Sequence, residues 1–237
     1  MKRRTSLLIA GSLSLLLLGA CDKHTLGAMD ALDTSGNAAA PLGDTSSATL
    51  YLAIVEGLID QGRYRAALGY LDQYAVAERK TPRYLRLRGE ALLGVGRYDE
   101  AAMVFSDLAD TELAAAGFNG LGRVAAAKNL WSDAEKNFAQ AVAARPSSAD
   151  YLNNLGFAEL HLGGDALSRA EFNLRQAQEI DPSSASIRNN LVLALLMVGK
   201  DDEARKILDS IEMPRERAAV QKFAVDWVRA RQKSKLE

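Results

Sequence analysis

Apolar and polar positions divide this chain into three stretches of different character. Residues 7–18 are almost wholly apolar and directly follow the basic residues 2–4. Residues 22–47 show no sustained periodicity and are dominated by small and polar side chains. From residue 48 onward, Ala- and Leu-rich segments of helical composition alternate with short Gly- or Pro-containing breaks. The pattern predicts a short apolar leader, a flexible linker and an all-helical body.

The leader has the features of a secretory signal peptide. A helix over residues 7–18 would be about 18 Å long at roughly 1.5 Å per residue, whereas the hydrocarbon core of a bilayer is about 30 Å thick. A basic start followed by such a short apolar core is typical of an exported protein. The leader ends in Leu18-Gly19-Ala20-Cys21, which resembles the lipobox of bacterial lipoproteins. Residues 1–20 are therefore expected to be removed on export.

The lipobox resemblance implies a covalent lipid on Cys21. In that family the cysteine receives a diacylglycerol and an acylated amino terminus, and several acyl chains give stable anchoring. Asp22 resembles an inner-membrane retention signal of enteric bacteria, but other Gram-negative groups use other positions. We expect a periplasm-facing, lipid-anchored protein, with the outer membrane favoured and the inner membrane left open. The alternative is an ordinary signal peptide followed by an unmodified cysteine.

Residues 21–47 are interpreted as the lipidated cysteine and a flexible tether. Their Ala, Gly, Ser, Thr and Asp content, with one proline, is typical of a linker. Such a chain would have a root-mean-square span of about 28 Å. The tether would hold the folded body clear of the lipid surface.

A 34-residue repeat organises the body. Gly62-Arg63-Tyr64 recurs 34 residues later as Gly96-Arg97-Tyr98, and three further copies follow. These copies share small residues (Gly122, Gly156), large residues (Trp131, Phe138) and helix-ending prolines (Pro146, Pro182). The pattern resembles the tetratricopeptide repeat, which is a pair of antiparallel helices. We expect an all-α superhelix of about five helix pairs over residues 48–214, closed by a capping helix and basic tail over residues 215–237.

The residues that carry chemistry in enzymes are scarce in this sequence. The only histidines are His24 and His161, and Cys21 is the only cysteine, so converging ligands or a catalytic set are not expected. Residues 120–125 fit a dinucleotide-binding pattern, but no strand is predicted before them. The formal net charge of −1 gives no reason to expect nucleic acid. We therefore expect no enzyme activity, no metal, no cofactor other than the covalent lipid and no small-molecule substrate.

The repeat resemblance implies a protein-binding groove lined by the first helix of each pair. The family positions correspond here to Asn119, Arg123, Asn153, Asn154, Phe157, His161, Asn189, Asn190, Leu193 and Met197. Amide side chains both donate and accept hydrogen bonds, so they could bind an extended peptide or cap a partner helix. Leu193 and Met197 would add apolar area for an amphipathic helix. Two alternatives are that the amides have no ligand or that they pair with one another between repeats.

Among lipoproteins of this plan, the chain most resembles the TadD-type assembly lipoprotein of Tad (Flp) pilus systems. The residues that carry the resemblance are Tyr151-Leu152-Asn153-Asn154-Leu155-Gly156 and Ile187-Arg188-Asn189-Asn190-Leu191-Val192-Leu193-Ala194. The resemblance implies a pilotin-like role, with an outer-membrane secretin or another pilus assembly component as partner. The alternative is a repeat lipoprotein that scaffolds or regulates a peptidoglycan enzyme.

Overall fold

Helices make up nearly all of the described chain, which comprises residues 44–77 and 80–234 of a computed structural model. The eleven helices found there are α1 (Asp44–Asp60), α2 (Tyr64–Ala77), α3 (Pro82–Gly94), α4 (Tyr98–Ala109), α5 (Ala114–Ala127), α6 (Trp131–Ala144), α7 (Ala149–Leu162), α8 (Ala166–Ile180), α9 (Ala185–Met197), α10 (Asp201–Asp209) and α11 (Pro214–Ser234). The prediction of five helix pairs and a closing helix is confirmed. The predicted signal peptide, Cys21 and most of the predicted tether lie outside the described residues.

The first helix begins earlier than the sequence analysis predicted. We placed the end of the tether at residue 47, whereas α1 begins at Asp44. Acidic and hydroxyl-bearing residues are common in linkers and are also favoured at the start of helices. Composition alone therefore does not locate this boundary.

Each helix pair is closed by a tight turn that needs a left-handed backbone. Gly62, Gly96, Gly163 and Gly199 occupy these turns with φ between 69° and 81°. In the third pair Asn129 takes the same place with φ of 59°. Glycine adopts such angles without a steric penalty, and asparagine tolerates them better than most residues do. The recurring residue in the sequence thus fixes where each pair reverses direction.

Hydroxyl side chains cap several helices that start a new pair. The Ser148 hydroxyl accepts a hydrogen bond from the backbone N–H of Tyr151, and the Ser184 hydroxyl accepts one from Ile187. These bonds satisfy N–H groups that have no partner within the helix.

The odd-numbered helices form a layer along one side of the stack. Each odd helix contacts the next, from α1 to α11, whereas no two even-numbered helices contact each other within the described residues. Because the odd helices approach one another more closely, their layer lines the inner side of the stack. We call the surface formed by α1, α3, α5, α7 and α9 the inner face.

Small residues allow the helices of a pair to approach closely. A Cβ atom added to Gly89 would lie 2.6 Å from the ring of Phe105, and one added to Gly122 would lie 2.5 Å from the ring of Phe138. Both rings are almost fully buried. The large side chain of the second helix therefore occupies the space that the glycine of the first helix leaves open.

Candidate protein-binding face

Ion pairs join the first two repeats on the inner face. Glu56 on α1 accepts hydrogen bonds from Arg83 at 2.8 Å and from Arg86 at 2.5 Å, both on α3. Arg86 also contacts Glu90 one turn further along the same helix. The hydrogen bonds from Arg86 and Arg83 lower the pKa of the Glu56 carboxyl. This part of the face presents charged side chains of both signs.

Tyr151 at the start of α7 lies near charges that belong to α3. Burial is the main reason that the pKa of the Tyr151 hydroxyl is raised, and the charges of Arg145, Asp150, Arg86 and Glu90 also act on it. Helix α5 stands between α3 and α7 in the stack. Charges of α3 thus act on a side chain of α7, which lies two repeats further along the stack.

The amides predicted to line the groove pair with one another between repeats. Asn154 on α7 donates a hydrogen bond of 2.9 Å to the side-chain oxygen of Asn119 on α5. Asn190 on α9 donates one of the same length to Asn153 on α7. This is the second of the two alternatives considered from sequence. Each amide group can make more hydrogen bonds than the one it uses here, so the half-buried Asn119 and Asn154 can still bind a partner, whereas Asn153 is buried.

The remaining asparagine of the set, Asn189, is half-buried. The side-chain oxygen of Asn189 is buried and, among the described atoms, has no hydrogen-bond partner. Its neighbour Arg188 is paired with Glu216 on α11 at 2.5 Å. The closing helix therefore contacts the fifth repeat beside this amide.

Three ring side chains form a cluster at the carboxyl end of α7. His161 stacks on Trp131, the first residue of α6, with ring centroids 3.5 Å apart and planes 14° apart. Phe157, one turn earlier on α7, meets the same imidazole edge-on at 4.7 Å. We call Trp131, Phe157 and His161 the aromatic pocket. Trp227 from α11 closes it with an edge contact to His161 at 5.6 Å.

Arg231 on α11 binds the end of α7. Its guanidinium donates hydrogen bonds to the main-chain oxygens of Leu160 at 3.4 Å and His161 at 2.5 Å. It also lies 4.4 Å from the centroid of the Trp227 ring, close enough for a cation–π interaction. Carbonyls at the end of a helix have no partner within that helix, and a cation there is also favoured by the helix dipole. Arg231 thus completes the carboxyl terminus of a helix 70 residues earlier in the chain.

The contact with Arg231 assigns the tautomer of His161, and burial is the main cause of its lowered pKa. A guanidinium nitrogen lies 2.5 Å from Nδ1 of His161, and because arginine has donors only, Nδ1 must accept. The remaining proton is therefore assigned to Nε2. Burial, together with the positive charge of Arg231, lowers the pKa of His161 from 6.5 to about 3. The histidine is neutral at physiological pH.

The other predicted groove residues differ in accessibility. Arg123 lies one turn after Asn119 on α5 and is exposed, and Met197 is half-buried. Leu193 does not line an open groove, because its side chain is only 1% exposed and packs in the core of the last repeats. Helix α11 lies against α9, so this apolar position is used within the chain.

The sequence analysis did not place Trp227 and Arg231 at the site. The signal that could have identified them is the spacing of the buried positions Val220 and Ala224 along α11. Continuing that stripe by three and seven residues reaches Trp227 and Arg231, which puts both on the inward side of the helix.

The described residues contain no group of three or more histidine, cysteine, aspartate or glutamate side chains arranged to hold a metal ion. In the same part of the chain, every helix is too short or too polar to cross a membrane.

Comparison with known proteins identifies the family. The model of the tetratricopeptide repeat family matches residues 52–117 and 119–176, which together make up just over half of the chain. Repeats of this family are typically non-enzymatic scaffolds for protein–protein interaction. No curated protein matches the sequence significantly.

Solved structures share the architecture at low sequence identity. The tetratricopeptide repeat protein TTC0263 from Thermus thermophilus superposes with a TM-score of 0.62 at 21% identity, over 75% of this chain and 98% of that one. MamA from Desulfovibrio magneticus RS-1 gives a TM-score of 0.55 at 22% identity, over 74% of this chain and 95% of that one. At sequence identities this low, the structural similarity shows a shared fold and does not show a shared function. With the family match and the five described helix pairs, the chain belongs to the tetratricopeptide repeat family.

Proposed function

We propose that this protein is a lipid-anchored scaffold that binds a protein partner on its inner face and acts as a pilotin-like assembly factor for a secretin of a Tad (Flp) or related type IV pilus system. The observation that carries the proposal is the continuous inner face, to which α1, α3, α5 and α7 each contribute polar side chains. A face built from several repeats suits an extended partner segment.

The open part of the face extends from repeat one to the beginning of α7. It offers the charged group around Glu56 and Arg86, the pair of Asn119 and Asn154, and the exposed Arg123. Polar groups of both signs and uncharged amides can bind a peptide backbone as well as its side chains. We assign the partner-binding region to repeats one to three and the beginning of α7, since α11 covers the end of α7 and part of repeat five.

The proposed membrane attachment rests on the sequence before α1. Leu18-Gly19-Ala20-Cys21 resembles a lipobox, and α1 begins at Asp44. Residues 22–43 would then link a lipidated Cys21 to the repeats, leaving the inner face free to bind a partner in the periplasm. We favour attachment to the outer membrane, where a secretin resides.

The secretin is favoured as partner because of the TadD-type resemblance in residues 151–156 and 187–194. Asn153, Asn154 and Asn190 of these segments lie in the inter-repeat pairs of the inner face. The segments that carry the resemblance therefore contribute to the face that we assign to the partner.

Site-specific photo-crosslinking in the native cell tests the proposal. A photoreactive residue replaces Arg123, which is exposed on inner helix α5, and a matched one replaces Met103, which is 70% exposed on outer helix α4. We expect a secretin adduct at position 123 and none at position 103, identified by mass spectrometry. A peptidoglycan enzyme at position 123 would contradict the pilotin role. Adducts at position 103 alone would contradict the inner-face assignment.

A further inference from the structure

We infer that the aromatic pocket is a helix-binding site that α11 fills in the free protein. A partner helix that carries an aromatic residue and an arginine four positions later exchanges with the last turns of α11. The inference rests on the proposed protein-binding function and deepens it, because it states the chemistry of the segment that the carboxyl-terminal half of the inner face accepts.

The end of α11 reaches the pocket through side chains. Within the described residues α11 packs along α9 and α10, but its backbone does not approach α7. Trp227 and Arg231 of α11 touch the His161 ring and the last carbonyls of α7. Two side chains thus connect the last turns of α11 to a helix two repeats away in the odd layer.

The pocket is complementary to an aromatic ring and a guanidinium at this spacing. Trp131 stacks on the imidazole of His161, and Phe157 contacts the same ring edge-on. The ring of Trp227 makes a second edge contact with this imidazole. The main-chain carbonyls of Leu160 and His161, at the end of α7, need hydrogen-bond donors. A guanidinium presents several N–H groups in one plane, whereas an ammonium is a point charge. Residues four apart on a helix lie on the same side, so one helix can supply both groups.

The outward side of the same turns is open. Arg229 and Ala230 are exposed, and the Phe223 ring is 56% exposed. Val220 and Ala224, in contrast, are buried against the last repeats. The first half of α11 is therefore anchored by apolar burial, and its last turns are attached mainly from one side. Release of the last turns leaves the anchored half in place.

Charge favours a basic helix as the exchanging segment. Residues 214–234 contain six basic and two acidic side chains, whereas residues 44–213 contain 18 basic and 24 acidic ones. A cationic helix is therefore attracted to the repeats that hold the pocket, an effect that salt weakens. A partner segment resembling α11 would carry the same excess of positive charge.

The experiment uses the full-length chain and a labelled synthetic peptide of residues 214–234. The pocket is emptied with Trp227→Ala/Arg231→Ala, and Phe223→Ala/Arg229→Ala is the matched control on the outward side of the same helix. Fluorescence anisotropy should show the emptied variant binding the peptide at least tenfold more tightly than wild type and the control do. Adding Phe157→Ala to the emptied variant, or Arg231→Ala to the peptide, should abolish that gain.

Equal binding by the emptied variant and wild type would overturn the inference, provided that circular dichroism shows the variant folded. If the variant does not fold, hydrogen exchange in wild type decides: residues 227–234 should exchange faster when excess peptide is added, and unchanged exchange overturns the inference. Wild-type dimers formed by exchange of α11, detected by light scattering, would assign the site to a second copy and overturn the partner assignment. None of these measurements requires a secretin, so a failed secretin crosslink and a failed peptide exchange are distinguishable.

Discussion

The side-chain amide of Asn154 donates a hydrogen bond of 2.9 Å to the side-chain oxygen of Asn119, which lies 35 residues earlier on the neighbouring repeat. Asn190 and Asn153 repeat the contact one step further along the stack. These hydrogen bonds between uncharged amide side chains join consecutive helices of the inner face. The residues that the sequence assigned to partner binding therefore also hold the repeats in register.

Replacing Asn154 with alanine should weaken the array. Because the half-buried oxygen of Asn119 loses its donor, we expect the free energy of unfolding to fall by about 1–2 kcal/mol. Urea unfolding of Asn154→Ala, Asn119→Ala and the double variant gives the coupling energy of the pair. A coupling energy of zero would show that this bond contributes nothing to stability.

Two glycine-to-alanine substitutions should have opposite effects. A Cβ atom at Gly117 would lie 2.5 Å from the backbone nitrogen of Ala109, so Gly117→Ala should destabilise the protein by about 1–3 kcal/mol. At Gly69, in α2, the added atom has no neighbour within 4 Å. There the higher helix propensity of alanine should stabilise by about 0.5–1 kcal/mol. Thermal unfolding of both variants tests these expectations. A stabilised Gly117→Ala would refute the close contact between Gly117 and the backbone of Ala109.

His161 should make the wild-type protein sensitive to acid. Its pKa is about 3 in the folded state and 6.5 in the reference state, so the unfolded chain takes up the proton first. The contribution of neutral His161 is complete above about pH 6.5 and is lost as the pH falls toward 3, at no more than about 1.4 kcal/mol per pH unit. His161→Phe should lack this loss. Urea unfolding between pH 4 and pH 8 measures the free energy of unfolding of both proteins. The same pH dependence in wild type and His161→Phe would contradict a lowered pKa for His161.

Glu159 should show the opposite pH dependence. Its side chain is almost completely buried, and burial raises its pKa despite hydrogen bonds from Asn173 and Arg169. A raised folded-state pKa means that stability is lost as the pH rises above the reference value of 4.5 and through the folded-state value. The stability of wild type relative to Glu159→Gln should therefore decrease from pH 4 to pH 7. A difference that stays constant over this range would count against a raised pKa.

Cys21→Ser should release the protein from the membrane. Without the thiol no diacylglycerol can be attached, and the anchoring energy of the acyl chains is lost. We expect no incorporation of an alkyne-labelled fatty acid and no flotation with membranes, with the helical circular dichroism signal retained. A Cys21→Ser protein that still incorporates the label would exclude this cysteine as the lipid site.

The helices and their ends were predictable because their causes are local. A left-handed residue such as Gly96 or Asn129 closes each pair, and Ser184 caps α9 through a bond to a residue three positions later. Such signals act within a few residues and repeat with the 34-residue period. The limit of the local signal appears at Asp44, where a linker and a helix start have the same composition.

The site was predictable only in part, because its contacts join distant repeats. The sequence identified Asn154 as a groove residue, but its bond to Asn119 depends on how two pairs stack. Leu193 matched a groove position, yet it is buried in the core of the last repeats, to which α11 also contributes. His161 was expected on an open face, whereas contacts from α6 and α11 enclose it.

By itself the sequence determined the repeat, the helix pairs and the family, since periodic glycine, alanine and proline positions constrain the backbone locally. It also predicted a lipidated Cys21, which lies outside the described residues. Only the tertiary structure decided which inner-face residues remain available. Asn153 pairs with Asn190 across repeats, and Arg231 reaches the end of α7 from 70 residues away. Those contacts depend on the distance between whole helices, which no single repeat specifies.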